Sequence, residues 1–424
     1  MSYVMPAFVL GRIRLPFLLV AGALFLTSVP SAVRAQGAAA QPVKVVTPQL
    51  DFSGIIFGSY QFRTDSAARA TLGGAAPNQF NIDRVYLTFR MPVGDNALIR
   101  ATSDIFQQAS AATNGYYRGW VVRLKYGYLQ YTLLKNSLGD GSNVQGRIGM
   151  LHTVLIDHEE SFWPRYLGNT AVERNGFFLS SDLGAAGLIT LPDKLGEVYG
   201  TITNGPGYTA PETDRFKDFA LRVTLTPFAN DSSLLKTFAI SPWAYKGFVG
   251  SAFATGGAGQ LGPGTNGAIT DGLTHDRYGI FAGLKDRRLT VAGEYAQRKD
   301  GSETGLNTAN APRASLDSSG RILSGFIVAR PMELMDNAHR SPFGVVARYD
   351  RFTPNTGPLS PTYAGTTPSY DVTIVGLFWD PTPRTTFSAD WQVQRPTGFP
   401  DPAPGALKLT PRQSSLYLHW QATY

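Results

Sequence analysis

Between Asp157 and Gly176 the chain crowds Asp157, His158, Glu159, Glu160, Arg165, Glu173 and Arg174 around the aromatic pair Phe162 and Trp163. Side chains of these types can do three kinds of work. Carboxylates with imidazoles can hold a metal, but His152, His158 and the two glutamates lack the fixed spacing of a metal site. A serine or aspartate beside a histidine can cleave a bond, yet none of the five His has a convincing serine partner on the same strand face. Opposed charges along a passage can set the field felt by a moving ion, and that use needs no fixed spacing. The segment is therefore either a charged lining folded inward or a solvated outer loop. Phe162 and Trp163 favour the inward fold, because such rings pack against a wall rather than sit in water.

A second group comprises Arg84, Arg90, Arg100, Arg147, Arg222 and Arg348, each at an alternate position of a stretch with period-two hydrophobicity. Guanidinium stays charged and offers planar donors to oxyanions, so six of them on one face would make an electropositive wall. The competing expectation is pairing with the inward acids Asp104, Glu197, Asp218, Glu294, Asp350 and Asp390. Arg348 with Asp350, and Arg100 with Asp104, have the spacing for such pairs.

Strands must position both groups. Ser414 to Tyr424 alternates strictly, with Leu416, Leu418, Trp420, Ala422 and Tyr424 on one face and Ser415, Tyr417, His419, Gln421 and Thr423 on the other. That is a strand with an oily side and a wet side. Gln79 to Met91, Ala97 to Phe106 and Phe216 to Thr226 repeat the pattern. In Trp120 to Leu134 the apolar phase reverses partway, which a bulge near Lys125 would reconcile. The remaining stretches (Leu50 to Arg63, Val144 to Leu155, Phe178 to Leu191, Leu195 to Thr203, Thr237 to Ala254, Asp276 to Lys285, Leu289 to Arg298, Arg321 to Arg330, Phe343 to Phe352, Tyr370 to Trp379 and Thr385 to Gln394) bring the expectation to about sixteen strands. Short links alternate with long Gly, Pro, Asn and Thr-rich ones. Long loops on one rim of a barrel and short turns on the other give this rhythm.

Residues 1–35 hold Arg12, Arg14, an apolar run from Leu15 to Leu26 and a small-residue ending, the layout of a cleaved signal peptide. Residues 36–49 read as a periplasmic lead-in and 50–424 as the barrel. Removing the leader's three Arg from the chain's 38 basic residues leaves 35 against 31 acidic ones, so the mature charge is +4 rather than +7. Such a mild excess with interspersed acids excludes a dense nucleic-acid-binding stripe. With no Cys, disulfides, thiolate metal sites and a cysteine nucleophile are excluded. After the leader no apolar run approaches the roughly 20 residues of a spanning helix, so a mature chain in a membrane must close a barrel.

The aromatic-terminated last strand resembles the closing strand of bacterial outer-membrane barrels, which implies delivery by the barrel-assembly machinery. Phe80 to Arg90 (FNIDRVYLTFR), Leu124 to Tyr131 (LKYGYLQY), Arg147 to Trp163 and Phe343 to Phe352 (FGVVARYDRF) resemble the phosphate-selective porin O and P family. That resemblance implies a sixteen-stranded channel, a homotrimer, an anion-attracting lumen and phosphate as solute. The expectation is thus an all-β transmembrane antiparallel barrel in a Gram-negative outer membrane. It would be surrounded by lipid and need no cofactor. It would pass small hydrophilic solutes with a modest anion preference. A barrel hydrolase, or a structural or adhesive barrel acting through its outer loops, are the alternatives.

Overall fold

The computed structural model describes residues 49–70, 72–108, 119–212, 215–249, 273–304, 314–336, 338–354, 369–398 and 412–424. The expected leader and nearly all of the lead-in lie outside these residues. In chain order the strands are β1 (Asp51–Arg63), β2 (Asn78–Val93), β3 (Ala97–Gln108), β4 (Gly119–Lys135), β5 (Asn143–His152), β6 (Ser181–Thr190), β7 (Gly196–Thr203) and β8 (Asp218–Leu225). They continue as β9 (Ala239–Val249), β10 (Leu273–Lys285), β11 (Leu289–Thr304), β12 (Ala314–Ala329), β13 (Phe343–Thr353), β14 (Ser369–Thr382), β15 (Thr385–Gly398) and β16 (Gln413–Thr423). Four short helices accompany them: α1 (Ser66–Ala70), α2 (Ile156–Glu160), α3 (Ala171–Arg174) and α4 (Pro331–Met335). Each strand pairs antiparallel with its sequence neighbours and β1 pairs with β16, so the sheet is closed. Closure leaves no strand edge unpaired, which is what lets a sheet stand in hydrocarbon.

Period-two alternation decides which side chains face out. Along β8 Asp218, Ala220, Arg222 and Thr224 are buried, while Phe219, Leu221 and Leu225 are exposed. Phe89, Ile99, Leu129, Tyr131, Ile148, Leu183, Leu377, Leu416 and Leu418 extend the outer apolar surface around the wall. A closed barrel with that belt is built for lipid. Among the described residues no helix is long and apolar enough to cross a membrane, so the strands do the crossing.

The closing seam uses glycine for close approach. Gly58 faces Trp420 in register, and a Cβ there would meet the indole at 2.3 Å. Gly54 exchanges two 3.1 Å backbone hydrogen bonds with Tyr424, whose ring lies over it. Missing side chains on β1 thus make room for the aromatic side chains at the C-terminal end.

In β4 the register slips beside Thr102 and Ser103, which oppose Tyr126 and Leu124. Lys125 is the extra residue, as the phase reversal predicts. The bulge sends both Lys125 and Tyr126 inward.

β5 and β6 are shorter than the alternation suggests. β5 stops at His152 rather than Leu155, and β6 begins at Ser181 rather than Phe178. Val154, Leu155 and Ile156 are consecutive apolar residues, which a half-wet strand cannot bury together. The chain instead leaves the wall and turns into the barrel.

Candidate functional site

The segment from Thr153 to Ser180 lies inside the barrel and carries α2, a 3-10 turn (Arg165–Leu167) and α3. Pro164 opens the turn, and the Thr170 hydroxyl accepts from Glu173 N at 3.5 Å at the start of α3. Gly176, at φ +67°, ends α3 in the left-handed region that favours glycine. Val154, Leu155, Ile156, Val172 and Phe178 pack against Tyr199, Trp243, Ala296, Ile322 and Phe352 of the wall. Trp163 and Leu167 pack against Phe57, Val346, Val372 and Ile374. The Trp163 indole donates to Gly168 O at 2.9 Å and lies under the Arg348 guanidinium at 4.5 Å. Phe162 meets Phe281 at 5.1 Å. Apolar burial on both flanks docks this charged segment against the wall.

Its charges are arranged in pairs. Arg165 bridges Glu160 at 2.7 Å and Glu173 at 3.3 Å. Burial works against the Arg165 charge, but Glu173 and Glu160 outweigh it and raise its pKa. Arg174 faces Asp350 at 3.6 Å. Asp157 accepts from Tyr126 Oη at 3.2 Å and contacts His152 Nδ1 at 2.7 Å. Arg100 lies 2.8 Å from His152 Nε2. Arginine can only donate, so Nε2 accepts and Nδ1 carries the proton toward Asp157. Burial disfavours the Asp157 carboxylate, yet His152 and Arg100 more than compensate and hold its pKa below the usual range. Glu159 is 2 % exposed and points at the wall, beside Glu294 of β11, rather than into open lumen.

The wall arginines divide by partner. Arg84 and Arg123 both bind the fully buried Asp104, at 3.0 and 2.9 Å. Asp104 is therefore taken by neighbours across the sheet, and the expected Arg100 pairing does not form. Arg348 grips Asp350 as expected, at 2.8 Å, and donates to Asn169 O at 2.9 Å. Arg222 binds Glu197 and Val154 O. Arg90 pairs with Asp51 at 3.6 Å near the rim of short turns, where both are exposed. Arg147 donates to Gln130 at 2.8 Å and lies by the rings of Tyr128 and Tyr199.

Between α2, the 3-10 turn and the β1 to β4 wall lies a cavity of about 760 Å³, reaching the β10 to β11 turn. Arg100, Lys125, Arg165, Lys285, Arg287 and Arg330 line it, with Asp157, Glu160 and Asp286. Every one of those acids has a cationic or histidine partner: Asp157 has His152, Glu160 has Arg165 and Asp286 has Arg288. Arg165, Arg287 and Arg330 likewise have carboxylates. Among the described residues no carboxylate is within ion-pairing distance of Arg100, Lys125 or Lys285. Lys125 is 3 % exposed, with its ammonium 4.2 Å from the Tyr86 ring centre.

Sequence reasoning did not single out Lys125 as a lining residue, although the phase break in β4 was the signal that could have found it. It also missed Lys285, Arg287 and Arg330, which sit in or beside turns where no alternation assigns a face. The histidine search by strand face missed Ser241, whose hydroxyl lies 2.9 Å from His158 Nε2 across the contact between segment and wall. Ser241 is fully buried and also bonds Thr224 at 3.0 Å. Burial and the nearby Arg222 push the His158 imidazole down to about 3, so it stays neutral. This pair fastens the segment to the wall. No group of three or more metal-ligating side chains occurs among the described residues.

No family model and no curated protein matches this sequence. Solved structures do match its fold. OprB of Pseudomonas putida, in its high pH structure, aligns over 88% of this chain and 94% of its own with a TM-score of 0.56 and 9% identity. OmpF of Salmonella typhi, in complex with daunomycin, aligns over 88% and 98% with a TM-score of 0.53 and 10% identity. The outer membrane channel DcaP of Acinetobacter baumannii aligns over 89% and 97% with a TM-score of 0.52 and 9% identity. The chain thus shares the closed antiparallel barrel fold of these outer-membrane proteins, and its apolar belt suits a membrane.

Proposed function

We propose that the protein is a passive outer-membrane channel for small hydrophilic solutes, narrowed by the segment Asp157 to Gly176 and favouring anions. The observation that carries the preference is the asymmetry of the lumenal cavity. Six cationic side chains line it against three carboxylates, and Arg100, Lys125 and Lys285 have no carboxylate within ion-pairing distance among the described residues. An uncompensated cation in a narrow, partly desolvated passage attracts anions and repels cations. Arg84, Arg222 and Arg348 stiffen the wall through their ion pairs, and Arg100 and Arg147 remain for permeating anions. The long loops would face outward and the short turns the periplasm. Phosphate as solute and a homotrimer are supported by the sequence resemblance alone. The outward row of Leu416, Leu418, Trp420, Ala422 and Tyr424 at the seam is what an assembly signal for the barrel machinery would present.

The test is planar-bilayer recording on purified protein, with phosphate added during chloride conduction. Discrete ohmic steps are expected, and millimolar phosphate should reduce the chloride current if phosphate is preferred. Absence of conductance steps overturns the channel, while steps indifferent to phosphate overturn that solute alone.

A further inference from the structure

Glu159 on α2 and Glu294 on β11 meet in the contact between the inward segment and the wall, at 2 % and 7 % exposure. One oxygen of each, Oε1, has no hydrogen-bond partner. The cavity beside them, about 10 Å³, is bounded by Thr170, Phe281, Ser324 and Arg348 and is at the lower limit for a single water. The donors nearby are committed. Arg348 serves Asp350 and Asn169 O, and the Ser324 hydroxyl donates to Asp350 at 2.7 Å. Thr170 has one hydroxyl proton, directed to Glu159. Two carboxylates in contact with no spare donor repel each other, whereas one proton between them makes a hydrogen bond.

We propose that Glu159 and Glu294 form a proton-operated latch, which holds the inward segment against the wall while they share a proton and loosens it when both are ionised. The latch regulates the channel and so rests, for its effect on current, on the reading above. The charged groups facing the pair are Glu160 from α2 and Arg348 and Asp350 from β13, with Arg174 of α3 against Asp350. Burial opposes ionisation of Glu159 most strongly and Glu160 adds to it, against the contacts with Glu294 and Thr170 and the charge of Arg348. Desolvation thus carries Glu159 up to about 7, from an ordinary 4.5. A carboxyl raised in the docked state favours docking below 4.5 and loses that contribution as the pH climbs through 7. Linkage between those two values gives a roughly tenfold rise in the released fraction from pH 6 to pH 8.

The chain has no Cys, so Val172→Cys places a single thiol on a fully buried face of α3. Labelling by a water-soluble maleimide, corrected for the reagent's reaction with a free thiol, should rise about tenfold from pH 6 to pH 8. Adding Glu159→Gln should flatten the rise, because the amide donates to Glu294 at either pH. Glu294→Gln is the second variant should the first not assemble. Bilayer conductance should rise over the same range in the wild type and stay level in the glutamine variants. Equal labelling at both pH values, or a glutamine variant that follows the wild type, overturns the latch. A protein that labels as expected but never conducts keeps the latch and overturns the channel.

Discussion

Replacing Lys125 by Gln removes a cavity charge that has no carboxylate within ion-pairing distance, while keeping a side chain of similar length in the β4 bulge. A sphere of the cavity's volume, about 760 Å³, has a radius of about 6 Å, so an ion at its centre passes about 6 Å from a lining charge. At that distance the attraction is about 0.7 kcal/mol in bulk water, and about 1 kcal/mol with the modest loss of screening expected in a narrow pore. One kcal/mol is about a fivefold change in local anion concentration at 25 °C. Cations are repelled by the same amount, so Lys125→Gln should lower the anion to cation permeability ratio roughly ten- to thirtyfold at low salt. The Debye length falls from about 30 Å at 0.01 M to about 3 Å at 1 M, so the difference should nearly vanish in molar salt. Reversal potentials in two salt gradients, centred on these ionic strengths, read both effects. An unchanged ratio at low salt, or a change that persists in molar salt, would refute the electrostatic argument.

Arg165→Gln strips Glu160 and Glu173 of their shared partner in a buried setting, at a cost of about 3–5 kcal/mol; limited proteolysis should then cut the inward segment in folded barrels. Trp163→Ala removes an indole that is 2 % exposed, and about 3–5 kcal/mol of packing with it. Open-channel current noise should increase, and noise at the wild-type level would show that the indole does not anchor the segment. Gly58→Leu would drive a side chain into the Trp420 ring at the seam. The folded band on unboiled SDS gels should disappear, and its survival would mean the seam has slack. Removing β16 leaves β1 and β15 with unpaired backbone groups at several kcal/mol each in lipid, so the truncated chain should be absent from outer-membrane fractions.

The wall was legible because strand alternation is a local property. One face of β16 or β8 can be read without knowing its neighbours, and the phase reversal located the bulge at Lys125. The interior was less legible. Once the chain left β5, helical turns rather than alternation aimed the side chains, so nothing local distinguished Glu159, facing Glu294, from Glu160, facing Arg165. Ser241 and His158 meet from elements far apart in sequence. Asp104 chose Arg84 and Arg123 across the sheet over Arg100 on its own strand, because cross-strand neighbours on one face lie closer than residues four apart along an extended chain. The ends of β5 and β6 were misplaced because their apolar residues serve the inward segment rather than the lipid face.

Six cationic side chains against three carboxylates give the lumenal cavity an excess of positive charge. The reversal potential of the wild-type channel in a low-salt KCl gradient tests it most directly. A potential displaced toward the chloride equilibrium value is expected, and a displacement toward the potassium value would mean that the lining does not favour anions.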